Sequence, residues 1–175
     1  MATYKIDPSH SEIGFKVRHL VISNVSGHFT KFDATMTTDK EDLTDAQVSF
    51  EADADSVSTH NQQRDTHLKS DDFFNAEKFP KITFKSTSVE KKSDDEYVLK
   101  GNLTIRDFTK PVSLNVTHGG HTLDPWGQQR EGFELTGKIS RKEFGLKWNA
   151  LTEAGGAVVS DDVRLFINVE MVKQA

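Results

Sequence analysis

Along most of this chain apolar side chains recur at every second position, and that alternation commits it to strands with one buried face. Ile13, Phe15, Val17 and His19 fall on one face, with Glu12, Gly14, Lys16 and Arg18 on the other. The pattern returns through Phe32, Ala34 and Met36, and again through Ala46, Val48, Phe50, Ala52 and Ala54. After Pro80 it resumes at Ile82 and Phe84. It then runs through Tyr97, Leu99, Gly101, Leu103 and Ile105, followed by Val112, Leu114, Val116 and His118. Phe133, Leu135, Gly137 and Ile139 make the next face, and Val163, Leu165, Ile167, Val169 and Met171 the last. The segments between are short and polar, such as Glu90–Glu96 and Asp107–Pro111, which makes consecutive strands antiparallel neighbours. About eight or nine such strands of roughly ten residues each are expected, about 30 Å long. A sheet of that width closes to remove its edges.

One segment breaks the alternation. Thr59 to Phe74 reads as the single helix, with Thr59 and Gln62 at capping-box spacing and Asp65 near the positive end of the helix. Gln63, His67 and Ser70 share one face, as do Arg64 and Leu68. Phe73, Phe74 and Phe79 then crowd together before Pro80, as an aromatic lid or plug on a barrel. Leu20–Val25 is expected to be a turn or a short helical corner. The small residues at 52 and 54 suggest room near the end of their strand. An eight-stranded barrel is just wide enough to be filled by side chains or to hold one small ligand. Twelve Phe against two Tyr and two Trp suit either outcome, because Phe fills or lines space without needing a hydrogen-bond partner.

Charge and composition exclude several function classes. The net charge of -5 offers no basic stripe for nucleic acid and no attraction to an anionic membrane surface. No apolar run approaches the roughly 20 residues of a membrane span, and the polar outer faces differ from those of a porin. Without cysteine there are no disulfides, thiolate nucleophiles or thiolate metal sites. The opening Met-Ala-Thr-Tyr-Lys-Ile-Asp-Pro has neither the basic nor the apolar region of a secretion signal. A cytoplasmic location is therefore expected, or a periplasmic or extracellular one if a leader has been removed. A single domain over residues 1–175 is expected.

Chemistry-bearing motifs are sparse. The seven histidines include His118 and His121 three apart and His60 and His67 seven apart, but neither pair has the spacing of a closed zinc site. The acidic residues from Asp39 to Asp55 lack the spacing and the glycine of a calcium loop. There is no Gly-x-Ser-x-Gly elbow and no phosphate-binding loop. No catalytic residue, metal or cofactor is expected. His19 stands out because alternation turns it inward, where a buried imidazole needs a partner from the helical segment, the backbone or a ligand headgroup.

Asp7-Pro8-Ser9-His10-Ser11, continuing into Ile13, Phe15, Val17 and His19, resembles the opening of the YceI-like, polyisoprenoid-binding family. Arg64-Asp65, His67-Leu68, Ser70 and Asp72-Phe73-Phe74 resemble that family's central motif, followed by Phe79-Pro80 and Ile82. Leu103-Thr104-Ile105-Arg106, Thr109-Lys110-Pro111-Val112 and Arg141 with Phe144-Gly145-Leu146 are similar in the same order. The resemblance runs from about residue 3 to 172. It implies an all-β, extended eight-stranded antiparallel lipocalin-like barrel with one short helix. It further implies that the interior binds a long-chain amphiphile such as a polyisoprenoid, quinone or fatty-acid derivative, for carriage or storage, with homodimers possible.

On that reading the tail lies against Phe15, Val17, Phe50, Phe84, Leu103, Ile105, Leu114, Leu165 and Ile167. Leu68, Phe73 and Phe74 close one end, and His19, Arg64 and His67 meet the headgroup. Arg64 and His67 could equally tie the helix to the barrel, and Phe144 and Trp148 could be tunnel wall or hairpin anchors. An enzyme acting on a lipid-like substrate and a packed, ligand-free stress or interaction barrel both remain open. The same inward Phe residues serve a filled or a hollow barrel.

Overall fold

A computed structural model describes residues 1–20, 22–148 and 159–175. The first strand breaks at a short 3-10 turn, Pro8–His10, into β1 (Ala2–Ile6) and β2 (Glu12–His19). After turn residues Leu20 and Ile22, the next strand comprises β3 (Ser23–Phe29) and β4 (Phe32–Thr38). The third comprises β5 (Gln47–Asp53) and β6 (Val57–Ser58), and α1 (Gln62–Lys69) follows it. Then come β7 (Lys81–Lys91), β8 (Glu96–Ile105), β9 (Phe108–Leu123), β10 (Gln129–Ser140) and β11 (Val159–Lys173).

Every pairing is antiparallel, and each long strand lies beside its sequence neighbour. β11 closes the ring by pairing with β1 through Tyr4–Lys173 and with β2 through Ile13–Ile167. The result is a closed eight-stranded antiparallel barrel with one helix. The eleven strand segments arise because three of the long strands are interrupted.

The first interruption is built by the Asp7-Pro8-Ser9-His10 run. The Asp7 carboxylate accepts from the Ser9 amide at 3.0 Å and the Ser9 hydroxyl at 2.7 Å, and it lies 2.9 Å from His10 Nδ1. Arg130 from β10 donates to the Asp7, Asp124 and Glu170 carboxylates at 2.8, 3.0 and 2.9 Å. Asp7 is held below the usual carboxylate range, first by the Ser9 hydroxyl and then by Arg130 and His10. Asp7, His10 and Glu170 come close enough to resemble a metal site, but the guanidinium of Arg130 already bridges its two carboxylates. In the acidic 39–55 stretch, Asp45 accepts from the Thr38 hydroxyl at 2.6 Å and the Asp39 amide at 2.9 Å, so it fastens a turn.

Candidate functional site

The helix is shorter than the alternation break suggested and begins later. Asn61, not Thr59, caps it, accepting from the Arg64 amide at 3.0 Å. Thr59 is buried and serves as the anchor below the helix. Its amide and hydroxyl donate to Asp65 at 2.8 and 2.6 Å, while Arg64 Nε donates to its hydroxyl and Nη2 to its carbonyl, both at 2.7 Å. The capping-box spacing is thus real as proximity, but the partners are Asp65 and Arg64. No residue of α1 is fully buried.

Below the helix, residues 70–80 fold inward as the aromatic plug. Phe73 is buried and Phe74 half-buried, the latter edge-on to Phe29 with ring centres 5.8 Å apart. Arg106, at the β8–β9 turn, holds this segment by donating to the carbonyls of Asp71 and Phe73 at 2.8 and 3.1 Å and to the Asp71 carboxylate at 2.9 Å. Its guanidinium also lies 5.5 Å from the Phe79 ring. Arg141 lies 6.0 Å from the Phe73 ring and ties the chain after β10 to the start of β11. It is buried and donates to the carbonyls of Leu146, Trp148, Ser160 and Val159 at 2.7, 3.0, 2.8 and 3.2 Å. Burial pulls its pKa below the ordinary guanidinium value, against the opposing charge of Asp161.

Between this plug and the far end lies one continuous cavity of about 430 Å³, in the size range of ligand pockets. Its wall is almost entirely apolar. A belt of inward-pointing residues, Val48, Phe50, Leu103, Val112, Leu135, Leu165, Ile167 and Val169, is only half-buried although it faces the interior. In a packed core such residues would be sealed by their neighbours. The barrel is therefore hollow, which alternation alone leaves undecided.

The far end is closed by a polar network. Buried Glu131 lies 2.7 Å from His118 Nε2 and accepts from Gln129 at 3.1 Å, and Gln129 also reaches the Tyr4 hydroxyl at 3.4 Å. Burial and then the charge of Glu131 raise the Tyr4 pKa. His118 stacks on Phe133, a cavity-wall residue, at 4.9 Å.

The structure brings together Phe15, Val17, His19, Phe50, Arg64, His67, Leu68, Phe73, Phe74, Phe84, Leu103, Ile105, Leu114, Trp148, Leu165 and Ile167 on this one cavity. Phe144 stands apart. It is fully buried in the cluster of Phe73, Ile105, Ile139 and Leu146, so it is an anchor beneath the plug and not wall. His19 differs from expectation in another way: it is half-buried at the cavity end, and no side-chain hydrogen bond is found for it among the described residues. His67 is committed to Asp72 at 2.8 Å and packs edge-on against Trp148 at 4.7 Å and Phe73 at 5.1 Å. Arg106 and Arg141 stand in the motifs that carry the family resemblance but were given no role from the sequence, and Glu131 was not singled out. The signal for Arg141 and Glu131 was a charged residue at inward-facing parity, two positions beyond Ile139 and two before Phe133.

A closed antiparallel barrel with an apolar interior and a polar rim at one end defines a lipocalin-like protein for hydrophobic ligands. The family model of the YceI-like domain matches residues 4–171, and the chain belongs to that family. It is 43% identical over 175 residues to Protein YceI of Salmonella newport, covering 99% of this chain and 88% of that one. A Campylobacter jejuni YCEI protein superposes with a TM-score of 0.77 at 35% identity, over 97% of this chain and 96% of its own. A polyisoprenoid binding domain from Saccharophagus degradans shares the fold, with a TM-score of 0.71 at 15% identity over 98% of each chain. Among the described residues no helix is long and apolar enough to cross a membrane.

Proposed function

We propose that this barrel binds one long apolar chain in its interior and carries or stores it, with the tail along the half-buried belt and the head at the helix end. The single observation behind the reading is the continuous apolar cavity with polar groups at one end. Its wall on β11 runs from Val163 to Met171, about 26 Å at 3.3 Å per residue and about 20 Å along the axis once strand tilt is included. Roughly 0.8 kcal/mol per buried CH₂ means that ten methylenes supply about 8 kcal/mol gross. Association costs of about 4 kcal/mol or more then require a longer chain for micromolar binding. A prenyl or acyl chain of fifteen carbons or so, an estimate from those figures, satisfies both length and energy. The polyisoprenoid ligand named for the Saccharophagus relative is one candidate of this kind.

Catalysis fits less well. His67, Arg64 and Arg141 are each held by protein groups, and among the described residues His19 is left on the cavity wall without a carboxylate beside it to form an acid–base pair. The test is native mass spectrometry of the purified protein, with organic extraction of anything bound. A prenyl or acyl compound near one per chain supports carriage. Protein that neither retains nor takes up such chains refutes it.

A further inference from the structure

The polar groups of the cavity wall are unevenly distributed in both place and sign. Arg18, His19, Thr59, Arg64, His67 and Arg141 all belong to the helix end, and the opposite end contributes only Tyr97. Among the described residues, no aspartate or glutamate lines the cavity. Among the described residues, the carboxylates around this end are already taken. Asp65 accepts from Thr59, Asp72 pairs with His67, and Asp161 accepts from the Ser140 hydroxyl and the Lys142 amide. Arg141 satisfies its guanidinium on backbone carbonyls, and among the described residues no carboxylate contacts it. Two of these lining residues keep a donor with no hydrogen-bond partner found among the described residues: Arg64 at Nη1, its other nitrogens holding Thr59, and His19 at its ring.

Accepting that the cavity holds an apolar chain, we propose that it selects chains capped by an oxyanion, a carboxylate or phosphate seated against Arg64 Nη1 and His19. The tail supplies affinity but little choice, because an apolar wall separates ligands by a methylene at a time. A charged head is discriminated more sharply, because Coulomb interactions strengthen where water is thin. A cationic head meets like charge with no acceptor carboxylate among the described wall residues, and an alcohol brings no charge to offset the arginines.

The test uses ligand-stripped protein equilibrated with an equimolar mixture of hexadecanoic acid, hexadecyl phosphate, hexadecanol and hexadecylamine. The protein is then re-isolated and its bound compounds quantified by mass spectrometry. The acid, the phosphate or both should be recovered at least tenfold over the alcohol and the amine, and their own ratio distinguishes the two oxyanions. In Arg64→Gln and in His19→Leu the anion-to-alcohol ratio should fall severalfold. His19→Leu decides alone if the loss of the Thr59 contacts unfolds the other variant. Equal recovery of alcohol and acid by the wild type, or preference for the amine, overturns the headgroup assignment while leaving the chain reading intact. Recovery of none of the four overturns both.

Discussion

Enlarging a side chain on the cavity wall separates a hollow barrel from a packed one by the sign of the stability change. Val169 on β11 points inward, lines the cavity and is only half-buried. Val169→Phe adds about four carbons. At roughly 0.8 kcal/mol per fully buried carbon the limit is about 3 kcal/mol, and a ring still facing open space on one side realises about a third of it. The ligand-free variant should therefore be about 1 kcal/mol more stable than the wild type. In a filled core the same change forces strain and costs about 1–3 kcal/mol. Ala54→Val is the internal control, because Ala54 is 1% exposed and packed in the Phe73–Phe144 cluster away from the cavity. It should lose about 1–3 kcal/mol by overpacking. Urea unfolding of ligand-stripped protein measures both. The added ring also takes space from the tail, so binding of a sixteen-carbon chain should weaken at least tenfold. A destabilised Val169→Phe with unchanged chain binding would refute both the hollow interior and the path of the tail.

Because the folded-state pKa of Asp7 is depressed, its stabilisation is present above the unfolded carboxylate range near pH 4 and is lost as pH falls through the folded value. Asp7→Asn should flatten this acid limb and cost about 2 kcal/mol at neutral pH, read from urea midpoints between pH 2 and 7. Arg106→Met removes three hydrogen bonds to the plug and should cost about 2–3 kcal/mol, with faster proteolysis within residues 70–80 as the local readout. Gly145 has φ +73°, and a Cβ there would stand 2.5 Å from the Phe108 ring, so Gly145→Ala should lower stability by about 2 kcal/mol or more in thermal unfolding.

The closed barrel was legible because the strand period is two and one register serves a whole face. Val163 to Met171 could be assigned to the interior residue by residue, and the structure places them there. Hollowness was not legible, since Leu165 or Phe50 reads identically whether its inward face meets another side chain or empty space. The helix was placed correctly but bounded too generously. Residues 70–80 leave helical geometry in a series of turns, with Asn75 at φ +46°, and Arg106 adds long-range bonds that the local pattern does not encode. His19 reads as buried by parity, but it lies at the end of β2, where the wall stops and alternation no longer implies enclosure. Phe144 was the opposite case, an aromatic beside a cavity that packs under the plug.

The two ends of the barrel are closed by different physical means, and the difference assigns direction to the site. At the far end Tyr4 and β10 supply a network that crosses the strand ladder, with Glu131 buried within it. Opening that end would strand a buried carboxylate and break sheet pairing at once. At the other end α1 has no fully buried residue; Arg64 ties it to Thr59, and the plug beneath it is held by the guanidinium of Arg106 through Asp71 and Phe73. Segments with little buried apolar surface open at lower free energy than the ladder that carries them. The end that opens at lower cost is also the end whose wall bears the uncommitted donors, so the proposed binding mode has a chain entering tail first, with its head beside Arg64 and His19. Under the proposed function, the helix that interrupts the alternation is what gives an otherwise uniform barrel a front and a back.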